Sequence, residues 1–226
     1  MKKLTAATKK AVLGDWNNLS PAFAPHQPLH LLKRHGPILV GIYLKPTRDG
    51  TMYTPTAHIH NLCVAFPVVS LQLRAEAKPI SVSAHTPESC RARHEELAKA
   101  YPLHVSNDVT LAQVVALYAS YFEKGLQIPI VARLPSYAEL IALLSFSGFL
   151  EQARTVADHV ADAVPPTIDG PSGERLRAYH ETVARALGPG MNADDVERNL
   201  ATLNAAAIPS YDFSVKMAPP MSWLES

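Results

Sequence analysis

The sequence predicts an α+β fold in which an N-terminal antiparallel β-meander of three to five strands packs against a C-terminal bundle or layer of about five α-helices. Two observations predict this class. Between residues 29 and 84, apolar and polar residues alternate, which is typical of half-buried strands. From Thr86 onwards, apolar residues recur every three or four positions, which is typical of amphipathic helices. Nearly all of the strand signal therefore precedes the helical signal.

The length of 226 residues suits one large domain or two small ones. We expect residues 1–105 to be mainly sheet with flanking helices and residues 106–226 to be the helical half. Both parts are predicted to form one compact unit.

Charge and composition limit the classes of function that we expect for this protein. The chain has 21 basic and 20 acidic residues, so it lacks the broad basic surface of a nucleic-acid-binding protein. No apolar run approaches the roughly 18 residues of a membrane span, and the N-terminus lacks the apolar core of a secretory signal. The two cysteines, Cys63 and Cys90, have no C-x-x-C spacing and suit buried free thiols. A soluble, cytoplasmic protein is predicted.

The first 33 residues contain weak structural signals. Residues 3–13 predict a short amphipathic helix. Three prolines then predict an extended, turn-rich segment in which Trp16 and Phe23 pin the chain to the body of the protein. Residues 29–33 fit either a first strand or a helical turn.

A β-hairpin is the clearest local prediction. Strand-like runs at residues 37–45 and 52–61 flank Asp49-Gly50, a dipeptide that favours tight turns because both positions tolerate a positive φ. Pairing through this turn gives one apolar face and one mixed face. The mixed face consists of Leu39, Gly41, Tyr43, Lys45, Thr54, Thr56, His58 and His60. Residues 69–76 predict a third strand, which adds Arg74 and Glu76 to the mixed face if it is adjacent, and residues 80–82 predict a short fourth.

Helix signals follow in order. Thr86 and Pro87 are a suitable N-cap and first helical residue for a helix that runs to about residue 100. The next helix begins near residue 108, with core positions Leu111, Val114, Val115, Tyr118 and Phe122. Ser136 to Glu139 predicts a capping box that opens a third helix, which Gly148 ends. Further helices are expected at residues 149–164, 172–187 and 192–207, and the aromatic residues of the C-terminal tail are expected to pack: Tyr211, Phe213 and Trp223.

One segment of the helical half has a repeat-like pattern. Its aromatic, leucine, turn, alanine and closing proline positions are Tyr137, Leu140, Gly148, Ala153 and Pro165. In this respect residues 137–165 resemble one tetratricopeptide-type helical hairpin. The sequence departs from that pattern at Ile141, Leu144 and Ala157, and no second copy follows at 34-residue spacing. The resemblance implies a stacking or partner-binding helical layer.

His58-Ile-His60 is the sharpest chemical feature. Alternation places both imidazoles on one strand face, where two such groups could contribute to a metal site, and Gly41 opposite His58 leaves room for a ring or ligand. The predicted ligand or partner face comprises Tyr43, His58, His60, Arg74 and Glu76. His58 and His60 are the candidate metal ligands, although no third ligand follows at a recognisable spacing. The alternative is a solvated or covered sheet face that contains two ordinary histidines.

Other catalytic patterns have little support. Asp49 with Glu76-Ala-Lys78 resembles the acid, acid-x-Lys pattern of metal-dependent nucleases, in which two carboxylates hold Mg²⁺. A hairpin turn explains Asp49 better than a metal site does. There is no G-x-S-x-G motif and no glycine-rich phosphate loop. Either cysteine could pair with one of the ten histidines, but no spacing singles out a pair.

The predicted helix at residues 174–187 carries Arg175, Arg177 and Arg185 and is the candidate partner-binding helix. Together these observations predict a non-catalytic protein-interaction module, such as an adaptor, inhibitor or immunity-type binder, which binds a protein partner or itself and needs no cofactor. The alternative is a metal-dependent hydrolase or nuclease that uses the His58/His60 face. A third possibility is nucleic-acid binding through the arginine-bearing helix, although the charge balance makes nucleic acid an unexpected partner.

Overall fold

The computed structural model describes residues 3–125, 127–165, 167–215, 221 and 224. The predicted α+β class is confirmed, because an antiparallel sheet precedes most of the helices. The α-helices of the described chain are α1 (Ala6–Leu19), α2 (Pro87–Ala100), α3 (Leu111–Lys124), α4 (Ile130–Phe146), α5 (Leu150–Ala163), α6 (Gly170–Leu187) and α7 (Ala193–Thr202). Short 3₁₀ helices lie at Val82–Ala84 and Pro102–His104.

The strands are β1 (Ala24–Gln27), β2 (His30–His35), β3 (Ile38–Pro46), β4 (Met52–Asn61), β5 (Gln72–Glu76), β6 (Ile80–Ser81), β7 (Val109–Thr110), β8 (Ser210–Tyr211) and β9 (Phe213–Ser214). In the main sheet, β1 to β5 lie in sequence order and pair antiparallel where the register is defined. β6 pairs with β4, as an antiparallel neighbour, and β8 pairs with β2 in parallel. The meander is therefore completed by a strand from the C-terminal tail.

The β3–β4 hairpin keeps the predicted register but uses a different turn. The Thr47 N–H donates to the Met52 carbonyl, and Gly50 N–H donates to the Thr47 carbonyl. Only Gly50 of the Asp49-Gly50 pair has a positive φ, of 68°. Asp49 instead accepts hydrogen bonds from Thr47 and Thr51. The turn is thus longer than a two-residue loop, and Asp49 is part of its hydrogen-bond network.

The lead-in segment is more regular than predicted. Helix α1 continues to Leu19, so Trp16 lies in the helix and is fully buried. Its indole N–H donates to the Tyr53 hydroxyl of β4 at 3.3 Å. Residues 24–27, which were expected to be extended or turn-rich, pair with β2 as strand β1. Trp16 of α1 therefore contacts Tyr53, which belongs to the predicted apolar face of the hairpin.

Helix α4 begins earlier than predicted. It starts at Ile130 and includes Pro135, so Ser136 does not cap it. Proline at the sixth position removes one backbone donor, which normally disfavours a helix interior. Glu139, expected to complete a capping box, is buried and accepts a hydrogen bond from the Tyr118 hydroxyl at 3.0 Å.

The predicted helical hairpin at residues 137–165 corresponds to α4 and α5. Gly148 joins them with a φ of 84°, a conformation that glycine adopts readily. Tyr137, Leu140 and Ala153 of this hairpin are buried. The five core positions predicted for α3 are also buried. Of the tail aromatics, Tyr211 stacks on His35, Phe213 lies against Gly36, and Trp223 is outside the described residues.

The chain divides into two compact units. The first comprises Met1–His60, Val68–Val109 and Asn204–Phe213, and the second comprises Asn61–Pro67, Thr110–Leu203 and Ser214–Ser226. The first unit includes the strands of the main sheet with α1 and α2, and the second includes α3 to α7. Within the described residues, no helix combines the length and apolar character needed to cross a membrane.

Candidate interaction surface

The histidines of the predicted ligand face lie in the interior. His58 is fully buried, and its Nε2 lies 2.8 Å from Nε2 of His30. His58 Nδ1 is 3.5 Å from the Ile59 carbonyl. One of the two facing Nε2 atoms carries the proton and donates it to the other. The Tyr43 ring packs edge-on against His30, with centroids 5.5 Å apart. Tyr43 and His58 therefore meet around His30, a residue the sequence analysis did not select.

Gly41 explains how His58 fits. A Cβ on Gly41 would lie 2.1 Å from His58 Nε2 and 2.8 Å from a Leu32 methyl group. The predicted juxtaposition of Gly41 and His58 is thus present, and the space is filled by the imidazole itself.

His60 has a different environment from His58. Its Nδ1 accepts a hydrogen bond from the Ser70 N–H at 3.1 Å and lies 2.8 Å from the Ser70 hydroxyl. Burial lowers the pKa of His60 to about 4 and lowers that of His58 well below its usual value. For His30, burial and the nearby His26 lower the pKa to about 4. These imidazoles are therefore neutral near pH 7.

Arg74 and Glu76 form a separate, exposed group. Glu76 lies 3.4 Å from Arg74 and 3.6 Å from Lys45, and all three side chains are at least 38% exposed. Such solvated ion pairs contribute little to stability. The predicted face is thus divided into a buried imidazole cluster and a surface salt-bridge chain.

Metal binding gains no support from these positions. Within the described residues, no group of three or more histidine, cysteine, aspartate or glutamate side chains is arranged to hold a metal ion. His58 and His60 form hydrogen bonds with different partners. The Asp49 carboxylate accepts a hydrogen bond from Thr47 within the β3–β4 turn.

A cysteine, a histidine and an aspartate do meet elsewhere in the first unit. Cys90 Sγ lies 3.4 Å from His85 Nδ1, and His85 Nε2 lies 2.8 Å from Asp15 Oδ2. Cys90, His85 and Asp15 are therefore in the order of a nucleophile, a base and the acid that orients the base. However, the Tyr53 hydroxyl, 2.7 Å away, donates to the same Nδ1, and Cys90 is fully buried. Burial also raises the thiol pKa.

This arrangement therefore acts as a structural link. It joins α1, β4 and α2 through one imidazole, which accepts from Tyr53 and donates to Asp15. The pair has no recognisable sequence signal, because Cys90 and His85 are five residues apart and the intervening Thr86 caps a helix. No spacing rule relates a helical cysteine to a histidine in the preceding loop.

The most exposed large apolar side chains of the first hundred residues lie in the loop between β4 and β5. Residues Ala65, Phe66, Pro67 and Val68 are all exposed, and the exposed fractions of Phe66 and Val68 are 36% and 62%. We call Ala65–Val68 the apolar loop. Exposed clusters of this kind often mark interaction sites.

The residues that precede the apolar loop are firmly held. The Asn61 side chain accepts a hydrogen bond from Cys63 N–H at 2.9 Å and donates to the Glu139 carbonyl at 2.8 Å. Asn199 of α7 donates to the Leu62 carbonyl, also at 2.8 Å. The three buried residues Asn61, Leu62 and Cys63 thus form a fixed base from which the loop projects.

Helix α6 lies beside this base. A cavity of about 210 Å³ has mixed polar and apolar walls formed by Cys63, Val64, Ala65, Glu181, Thr182, Arg185 and Met191. Arg185 is half exposed and pairs with Asp195, which also accepts a hydrogen bond from Arg198 at 2.9 Å. The carboxylate orients the guanidinium next to the loop.

The three predicted arginines of α6 therefore differ in their surroundings. Arg175 and Arg177 are exposed on the helix surface. Only Arg185 is shown to share a cavity with the residues next to the apolar loop. The arginine was predictable from its place on a helix, whereas the exposure of the apolar loop has no local sequence signal.

Comparison with known proteins gives one partial similarity. Over 86 residues the chain is 41% identical to a DNA ligase of Haloferax volcanii. The match covers 35% of this chain and 14% of that protein. No protein-family profile and no solved structure matches the chain.

Proposed function

We propose that this protein is a non-catalytic protein-interaction module that binds its partner through the apolar loop and Arg185. The observation that carries the proposal is the exposed Ala65–Val68 segment on a base fixed by Asn61 and Asn199. A fixed base lowers the entropy lost when the loop is immobilised by a partner.

The chemistry of the surface defines the kind of partner. Phe66 and Val68 suit an apolar cleft, and Arg185, which shares a cavity with Ala65, suits a carboxylate at the rim of that cleft. The expected partner is therefore a protein surface that combines an apolar depression with an acidic edge. Both cysteines are free and buried, which fits residence in a reducing cytoplasm.

Site-specific photo-crosslinking tests this proposal. A benzophenone amino acid at position 66 should give a discrete crosslinked product in cells of the native source, identifiable by mass spectrometry. The same amino acid at Ala92, an exposed position of α2, is the control. The yield of this product should fall when Val68 is replaced by serine. Identical products at both positions, or no product at position 66, would contradict the proposal.

Nucleic-acid binding is a second candidate, favoured by the partial similarity to a DNA ligase. Its basis in this chain would be the exposed Arg175 and Arg177 of α6. Fluorescence anisotropy with a labelled DNA duplex at low salt tests it. Binding that weakens steeply with salt and on Arg175→Gln/Arg177→Gln substitution would support it, because phosphate contacts release counterions. Absence of binding at low salt would eliminate it.

A further inference from the structure

A second concave site lies in the first unit, between helix α1 and strand β1. It has a volume of about 520 Å³, which is within the range of small-molecule binding sites. Helix α1 contributes Ala6, Lys9, Lys10 and Leu13, and the opposite wall is the segment from Pro25 to Pro28. The cavity is distinct from the apolar loop and shares no residue with it.

The lining has a defined charge pattern. Ala6, Leu13 and two prolines provide apolar walls, whereas Lys9 and Lys10 are the charged groups, and no acidic residue is among the described residues that line the cavity. The charge is therefore positive and uncompensated within the site itself. An apolar cavity with a cationic edge is complementary to a molecule that has an apolar body and an anionic end.

His26 adds a polar group to one wall. Its Nε2 is buried and has no hydrogen-bond partner among the described residues. An unsatisfied buried nitrogen of this kind is costly unless a ligand or water completes it. Burial lowers the pKa of His26, so the imidazole is a polar but uncharged part of this wall, and the positive charge of the lining comes from Lys9 and Lys10.

We propose that the α1–β1 cavity binds a small amphipathic carboxylate, such as a medium-chain fatty acid anion, with its apolar chain against Leu13 and the prolines and its carboxylate near Lys9 and Lys10. A carboxylate rather than a phosphate monoester is favoured because most of the lining is apolar and only two lysines supply charge.

Isothermal titration with decanoate, below its micelle concentration, tests this proposal on the full chain. Decanoate should bind one molecule per chain. Acetate lacks the apolar body and decyltrimethylammonium reverses the charge, so both should bind at least roughly tenfold more weakly. Equal binding of the cationic and anionic amphiphiles would overturn the proposal.

Variants locate the binding. Lys9→Gln/Lys10→Gln should weaken decanoate binding about tenfold, because the carboxylate loses both of its cationic partners. Ala6→Trp should block the cavity, and because Ala6 is exposed the fold should be retained, which an unchanged melting temperature would verify. Lys3→Gln, outside the lining, is the matched control. Decanoate binding that survives both cavity variants would refute the assignment.

Discussion

His30 and His58 form a hydrogen bond of 2.8 Å between their Nε2 atoms within the buried part of the sheet. Two neutral imidazoles can share one proton in this way, whereas protonating both would place like charges next to each other. The pair is therefore a structural element that depends on pH, and it replaces the solvent-facing ligand site that alternation alone suggested.

Acid should destabilise the protein in a defined window. In the unfolded chain histidines titrate near pH 6.5, whereas the pKa values of His30 and His60 are about 4 in the folded state. Between these values the unfolded state binds more protons, so the free energy of unfolding falls as the pH falls from 6.5 to 4. Each histidine contributes roughly 3 kcal/mol to this loss.

Urea unfolding at a series of pH values measures this effect. His60→Gln should reduce the slope of stability against pH by about one proton, because glutamine can accept the Ser70 N–H bond and does not titrate. His180→Gln, at an exposed position, should leave the slope unchanged. A flat profile between pH 6.5 and 4 would show that these imidazoles are not buried as described.

Gly41→Ala should destabilise the sheet because the new methyl group would overlap the His58 ring. Overpacking of a buried site costs typically about 1–3 kcal/mol. Gly14→Ala is a matched control, since nothing lies within 4 Å of an added Cβ at this position of α1. In a helix interior that substitution should stabilise by roughly 0.5–1 kcal/mol. Chemical denaturation measures the free energy of unfolding of both variants. Equal changes in that free energy would argue against the position of His58 next to Gly41.

Both thiols should resist modification in the native state. Cys63 and Cys90 are buried, and burial raises the pKa of each. Reaction with Ellman's reagent should be slow without denaturant and should reveal two thiols after unfolding. Cys63→Ala and Cys90→Ala variants assign any signal. Rapid labelling of Cys90 in native protein would reopen the possibility of thiol catalysis with His85.

Asn61→Ala should loosen the base of the apolar loop. The substitution removes the acceptor for Cys63 N–H and the donor to the Glu139 carbonyl, and the loss of a buried hydrogen-bonding partner costs about 1–3 kcal/mol. Hydrogen exchange of the Cys63 amide should become faster. Asn18→Ala, at an exposed position of α1, should leave that amide protected. Unchanged exchange in the Asn61 variant would show that other contacts hold the loop.

The parts of the fold that depend on local periodicity could be predicted from the sequence. The β3–β4 hairpin and helices α2 and α3 follow from alternation, an Asp-Gly turn and a Thr-Pro cap. The start of α4 could not be predicted in this way. Ser136 and Glu139 have the spacing of a capping box, but in the structure Glu139 is buried and accepts a hydrogen bond from Tyr118. The parallel pairing of Ser210–Tyr211 with β2 joins residues that are distant in sequence and has no local signal.

The candidate site, like the fold, was predictable from the sequence only in part. Gly41 opposite His58 was predictable because strand register fixes both positions. The partner of His58 was not, because residues 29–33 fit a strand or a helical turn and His30 therefore had no assigned face. The base of Ala65–Val68 is held by hydrogen bonds to distant parts of the chain, from Asn61 to the Glu139 carbonyl and from Asn199 to the Leu62 carbonyl, and these contacts have no local sequence signal.

The most direct test of the interaction function is the affinity of the crosslinked partner for the wild-type protein and for the Phe66→Ser/Val68→Ser variant. Both side chains are exposed, so the variant should keep its melting temperature. Loss of apolar anchors of this size should weaken binding by roughly thirtyfold, equivalent to about 2 kcal/mol. An affinity equal to that of the wild-type protein, with the fold intact, would contradict the account.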